Sequence, residues 1–291
     1  MTAARERASA LTRLTLVQAC EAVQRGEVTS VALTEAALDA FNAGDATINA
    51  SIALDREEAL ETAWGLDKLR KAGRQLGPLH GVPLAHKDMY YRAGKPCTCG
   101  SKIRRAFRPA YTATAIKRLE DAGSITIGSL NMAEFAQNPT GHNAHFGNCH
   151  NPWHLDYCPG GSSSGSGAAV AARFIYGALG SDTGGSIRLP ASMCGVTGIK
   201  GTQTRVSRYG AMPLSFSADN VGPLARTARD CARLLRTIGG HDPADPTSST
   251  EPVGDYEAAL DGDLRGLRIG FPPTSSLTVP IRRCGRPSRP P

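Results

Sequence analysis

From Thr15 to Phe41 apolar residues return every three or four positions, and Gly26 breaks the rhythm, which predicts two short amphipathic helices. Residues 48–54, INASIAL, read as a strand. Asp55 stands where an N-cap belongs for a helix running through Glu57, Glu58, Trp64 and Leu69 to about Gly73. The segment GPLHGVPLAHKD (77–88) is rich in turn residues, 112–122 has a helical pattern, and SITIGSL (124–130) reads as a strand. Between Asn131 and Gly161 the chain is polar and turn-rich, and from Ala168 to Ala178 small residues form a helical pattern. The stretch ADNVGPLARTARDCARLLRTIGG ends in a helix, a loop rich in Pro, Asp and Ser covers 242–254, and a strand is expected at Leu267 to Phe271. Helices alternate with strands and no internal repeat appears, so the fold class is α/β.

Composition supports a folded chain: 291 residues with 41% hydrophobic and 20% charged can bury a substantial core. The formal net charge is +7, but Arg282, Arg283, Arg286 and Arg289 stand in the last eleven residues, IRRCGRPSRPP, where no acid offsets them. The rest is only mildly basic. With 5% aromatic residues and no zinc-finger or RNA-binding spacing, sequence-specific nucleic-acid binding is not expected. The N-terminus is interrupted by Arg5, Glu6, Arg7 and Arg13 and offers no signal-peptide core, and no run reaches the ~18 apolar residues of a membrane span. Eight scattered cysteines fit a reducing compartment, so a cytoplasmic protein is expected.

Candidate chemistry lies in two Gly and Ser-rich stretches. PGGSSSGSG (159–167) has the composition of a linker, yet it runs directly into AAVAARF, a good helix former, and it lacks the Gly-Lys-Ser/Thr of a phosphate loop. Gly161 to Gly165 satisfies the G-x-S-x-G elbow with Ser163 as nucleophile, although HLDYCPG is a poor strand to lead into it. In GSDTGGSIRLP (180–190), Thr183, Gly184, Gly185 and Ser186 could aim several backbone N–H groups at one point, as an oxyanion hole requires; a plain tight turn is the alternative. A serine nucleophile needs a base. His142, His145, His150 and His154 cluster around Cys149 without the spacing of a zinc site, and Cys97 and Cys99 are too close for a zinc pair. Lys87 follows a run of apolar residues and would act as a neutral base if buried; otherwise it is a surface lysine paired with Asp88.

Four segments taken together, GPLHGVPLAHKD, PGGSSSGSGAAVAA, LGSDTGGSIRLPASMCGVTGIKGT and RVSRYGAMPLSFSADNVGPLARTARD, resemble the amidase signature family of serine amidases with a Ser-Ser-Lys triad. The resemblance runs in order from roughly Leu14 to Phe271. It implies a mixed β-sheet sandwiched by helices and lacking the C-terminal part of the fold. Residues 1–271 would be an incomplete amidase signature domain, mostly helical over 1–73 and catalytic over 74–235, followed at 272–291 by a Pro/Arg-rich tail outside the family pattern. The resemblance assigns Ser186 as nucleophile, Ser162 as bridging serine and Lys87 as base. It places the oxyanion hole at the N–H groups of Thr183, Gly184, Gly185 and Ser186, and gives Ser163, Asp182 and Arg188 supporting roles. A cis peptide between Gly161 and Ser162 is also implied, with neither metal nor cofactor. For the relay to run near neutral pH, the lysine pKa must fall by about three units from ~10.4, which demands burial.

Ser164 stands where the family more often has Gly, and Gly167 where it often has Ala; both are small. The implied activity is hydrolysis of a small carboxamide through an acyl-enzyme. A glutaminase subunit of a tRNA-dependent amidotransferase is one alternative, and an inactive truncated remnant another. EFAQNPTGHNAHFGNCHNPW looks more like the free-standing amidases, which favours hydrolysis. The expected partner is a small amide. Nucleic acid enters only if the chain is part of an amidotransferase, no membrane is expected, and a homodimer is compatible with the resemblance.

Overall fold

A computed structural model describes residues 10–75 and 77–268 of the chain. Helices α1 (Leu16–Arg25) and α2 (Ser30–Ile48) are separated at Gly26, whose φ of 75° suits glycine, so the break falls where periodicity placed it. Thr15 and Gln18 form a capping box at the start of α1. The second helix is longer than expected and takes up Ile48, which leaves β1 only Ser51–Leu54. Helix α3 (Arg56–Lys71) follows, but Asp55 makes no capping bond with its side chain. Its carboxylate instead pairs with Arg92 at 2.7 Å and Lys95 at 2.9 Å.

The stretch read as turn-rich holds the fully buried strand β2 (Pro83–Lys87). Pro83 is tolerated because it is the first residue, and a strand covered on both faces shows no alternation to read. Helix α4 (Thr114–Asp121) leads to β3 (Ile125–Leu130). The small-residue helix begins earlier and ends sooner than its pattern implies, as α5 (Ser164–Ala171), and Gly177–Asp182 is a strand, β4. After α6 (Arg188–Cys194) and the short β5 (Thr197–Gly198), the strand β6 (Asn220–Ala225) contains Pro223, which hides it in the sequence. Helix α7 (Ala228–Ile238) follows it.

Among the described residues these strands form one six-stranded mixed sheet in the order β1-β3-β2-β4-β6-β5. The central β3, β2 and β4 are parallel, with antiparallel strands outside them. Side chains on consecutive residues enter opposite cores, since a strand turns alternate residues to opposite faces. Leu84 and Leu179 join α1, α4 and α7 through Leu16, Ile116 and Leu234, whereas Ala85 and Ala178 join α2, α3 and α5 through Phe41, Leu66 and Val170. The sheet is thus sandwiched by helices. The chain divides at Leu260 into two units. In the second, Arg265 pairs with Asp263 at 2.7 Å, and the strand expected at Leu267 to Phe271 lies outside the described residues beyond Arg268, with Leu267 and Arg268 not in a strand.

Two buried carboxylates tie the helices together. Asp67 of α3 accepts from the N–H groups of Ser30 at 2.7 Å and Val31 at 3.1 Å, capping α2 from outside. Asp230 closes the capping box of α7 with Thr227 and also accepts from Val17 N–H at 2.9 Å. Replacing Asp230→Ala strands a donor in each of two helices, so unfolding in urea should show a loss of about 2–3 kcal/mol. An unchanged midpoint would mean that the cross-link contributes nothing.

Candidate active site

The parallel strands β3, β2 and β4 end on the same side of the sheet, and the candidate residues issue from those carboxyl ends, where open α/β sheets bind ligands. Lys87 closes β2 and is 1% exposed. Its Nζ donates to Ser162 Oγ at 2.6 Å and to Ser181 Oγ at 2.8 Å. Burial drives the amine down from 10.5 to about 7, outweighing Cys99, Asp182 and Asp219, which favour the charged form. The alternative, a surface lysine paired with Asp88, does not form. That carboxyl is itself buried, accepts from Thr98 N–H at 3.0 Å and from the Thr98 hydroxyl, and is pushed up by burial to about 6.

The glycine and serine stretch is interior structure. The Gly161–Ser162 peptide is cis. Gly161 N–H donates to Pro139 O at 2.6 Å, and Ser162 O accepts from Ala133 N–H at 3.1 Å. Gly165 N–H donates to Asn131 O at 2.8 Å, while the Asn131 amide donates to Asn49 O at 2.9 Å and Gly147 O at 3.1 Å. A Cβ on Gly165 would lie 2.2 Å from Ala50 O, so only glycine fits. Ser163 is fully buried and is occupied with the backbone of Ser181, accepting from its N–H and donating to its O, both at 3.3 Å. The residues just before it form no strand, so the elbow geometry is not made.

Asp182 organises the second stretch. Its carboxylate, 0% exposed, accepts from Ile187 N–H at 3.2 Å, Arg188 N–H at 3.3 Å and the Arg188 guanidinium at 2.9 and 3.0 Å. Burial works to raise its pKa, but these donors prevail and hold it below the usual carboxylate range. The turn so closed leaves the N–H groups of Thr183, Gly184, Gly185 and Ser186 without a hydrogen bond among the described residues. Gly185 has a φ of 144°, a backbone state that L side chains rarely adopt. These four residues line a cavity of about 350 Å³ together with Asn138 and Leu214. Ser186 is half-buried there, and its carbonyl accepts from Ser163 N–H at 3.3 Å, joining the two stretches.

Sequence reasoning missed Ser181, Lys200 and Asp219. Lys200 donates to Thr183 O at 3.2 Å and lies 3.8 Å from Asp182. Ser181 adjoins Asp182 within the same motif, so its position was the available signal. The histidine cluster is spent locally: His142 on Thr140 at 2.7 Å, His145 on Glu134 at 2.9 Å and His150 on Leu155 O at 2.8 Å. Cys97 and Cys99 are buried free thiols with sulfurs 4.0 Å apart.

A mixed sheet in this order, with those motifs gathered at the ends of its parallel strands, agrees with the match of the Amidase family to residues 32–284: the chain belongs to that family. Among curated relatives, a glutamyl-tRNA(Gln) amidotransferase subunit from Roseiflexus sp. is 50% identical over 262 residues, covering 90% of this chain and 54% of the relative. The native peptide amidase from Stenotrophomonas maltophilia superposes with a TM-score of 0.81 at 39% identity, covering 86% of this chain and 53% of that one. The corresponding amidotransferase subunit from Thermotoga maritima gives a TM-score of 0.72 at 33% identity, covering 83% and 50%. The chain spans about half the length of the curated relatives it matches. Among the described residues no helix is long and apolar enough to cross a membrane.

The buried amine makes stability depend on pH. Between about 7 and 10.5 the unfolded chain holds a proton on Lys87 that the folded chain lacks, so stability should rise with pH across that window. The contribution is up to about 1.4 kcal/mol per pH unit. Lys87→Met should flatten that rise in denaturation series at successive pH values; equal slopes would place the lysine pKa near its ordinary value.

Proposed function

We propose that the site is that of an amide hydrolase acting on a small carboxamide through Ser186, Ser162 and Lys87. The observation that carries this reading is the contact between a fully buried lysine, lowered to about 7, and Ser162 Oγ at 2.6 Å. Neutral Lys87 takes the proton of Ser162 as Ser162 takes that of Ser186, and Ser186 Oγ attacks the amide carbon. The developing oxyanion is received by the free N–H groups of residues 183–186, which are held ready by Asp182 and Arg188. As the C–N bond breaks, the proton returns through Ser162 to the departing amine. Water then repeats the attack on the Ser186 ester and releases the carboxylate.

A second reading has its own support. The 50% identity with the Roseiflexus amidotransferase subunit favours a glutaminase subunit that passes ammonia to a tRNA-binding partner. Glutamine-dependent ammonia release that requires co-purified partner subunits would select it over the free-standing amidase. An inactive remnant is the third, and predicts poor solubility or no labelling of Ser186.

A fluorophosphonate probe separates these outcomes. Wild-type protein should be labelled, Ser186→Ala not at all, and Ser162→Ala and Lys87→Ala at least about 100-fold more slowly. The wild-type rate should climb as pH rises through about 7, where the lysine becomes neutral, and then level off. Folded protein that takes no label contradicts an active amidase, and a Lys87→Ala rate equal to wild type contradicts the relay.

A further inference from the structure

Asp219 lies in the segment SFSADNVGP, between the cavity wall at Leu214 and the start of β6. One oxygen of its carboxylate accepts from the Thr183 hydroxyl. The other accepts from the N–H groups of Leu214 and Ser215, each at 2.8 Å. Thr183 and Leu214 both line the cavity that holds Ser186. A single carboxylate therefore fastens the first of the four free N–H groups to a wall residue contributed by a different loop. Lys200 also holds Thr183, through its carbonyl oxygen.

We propose that Asp219 is a positioning residue for the oxyanion-binding turn: it fixes the direction of the Thr183 N–H and the width of the cavity between Thr183 and Leu214. The inference rests on the reading of Ser186 as nucleophile. Hydrogen-bond donors aimed at a developing charge lose much of their effect when displaced by a fraction of an ångström, because the complementarity they supply is fixed in advance. Asp219 carries a second influence from the same place. Together with Cys99 and Asp182 it is one of the three groups that favour the charged form of Lys87, against the burial that disfavours it. Removing its charge should lower the pH at which Lys87 becomes neutral.

Labelling by the fluorophosphonate probe, followed as a second-order rate constant against pH, tests this in the full chain. Asp219→Ala and Thr183→Val should each slow labelling by roughly 10–100-fold. The double variant should be no slower than the worse single one, since both remove the same link. Asp219→Asn keeps the shape and loses the charge, so it should move the rising limb of the pH profile downward. Thr183→Ser, which retains the hydroxyl, should restore most of the rate. If the wild type is not labelled, the reading of Ser186 itself fails. If the wild type is labelled and folded Asp219→Ala matches it in rate and pH profile, only the positioning role fails. Should Asp219→Ala not fold, Thr183→Val decides: a wild-type rate overturns the proposal, and independent losses in the double variant do the same.

Discussion

A lysine amine sealed at the end of a central strand, with its pKa drawn down to about 7 by burial, is the condition on which the rest of this arrangement depends. Lys87 is 1% exposed, and among the described residues its hydrogen-bond partners are two hydroxyls and no carboxylate. Burial can lower a lysine pKa this far only where water is excluded on all sides. That exclusion comes from the sandwich: helices cover both faces of β2, and β3 and β4 flank its edges. Helices α2 and α3 supply much of one covering layer, and Asn49 and Ala50, which follow α2, contact the Asn131 that holds the glycine and serine stretch.

The two serine-bearing stretches are then fixed by interior acceptors. Asn131 holds the first from the end of β3, and Asp182 holds the second from the end of β4. Ser163 joins them by bonding the backbone of Ser181, and Ser181 in turn faces Lys87. Each link is made of short side chains on rigid element ends, which suits a site whose parts must hold their relative positions.

Much of the candidate site is legible in the sequence because its chemistry is written in contiguous motifs. Lys87, Ser162, Asp182 and Ser186 each sit in a short segment, and the order of those segments along the chain, through their resemblance to the amidase signature family, singles them out where each segment alone leaves a turn or a surface lysine open. The elements around them are harder to read. Pro83, His86 and Lys87 make β2 look like a run of turns, although a doubly covered strand needs no alternation. Pro223 hides β6 in the same way, despite full burial of that strand. Helix α5 starts four residues before its small-residue pattern, because Ser164 to Gly167 are poor helix formers whose packing overrides their propensity. Lys200 and Asp219 are invisible for a different reason: what they touch is decided by tertiary contact, and no local spacing reports it.

Low-complexity composition in PGGSSSGSG arises here from crowding. The backbone of Ala50 occupies the place a Gly165 side chain would need, Gly141 and Asn138 occupy that of Gly161, and Pro190 that of Gly160. Each glycine is a position where another chain segment has already taken the volume. A filter that equates Gly and Ser content with flexibility would mask this stretch as unstructured, and would thereby discard a buried segment whose glycines have no room for a side chain.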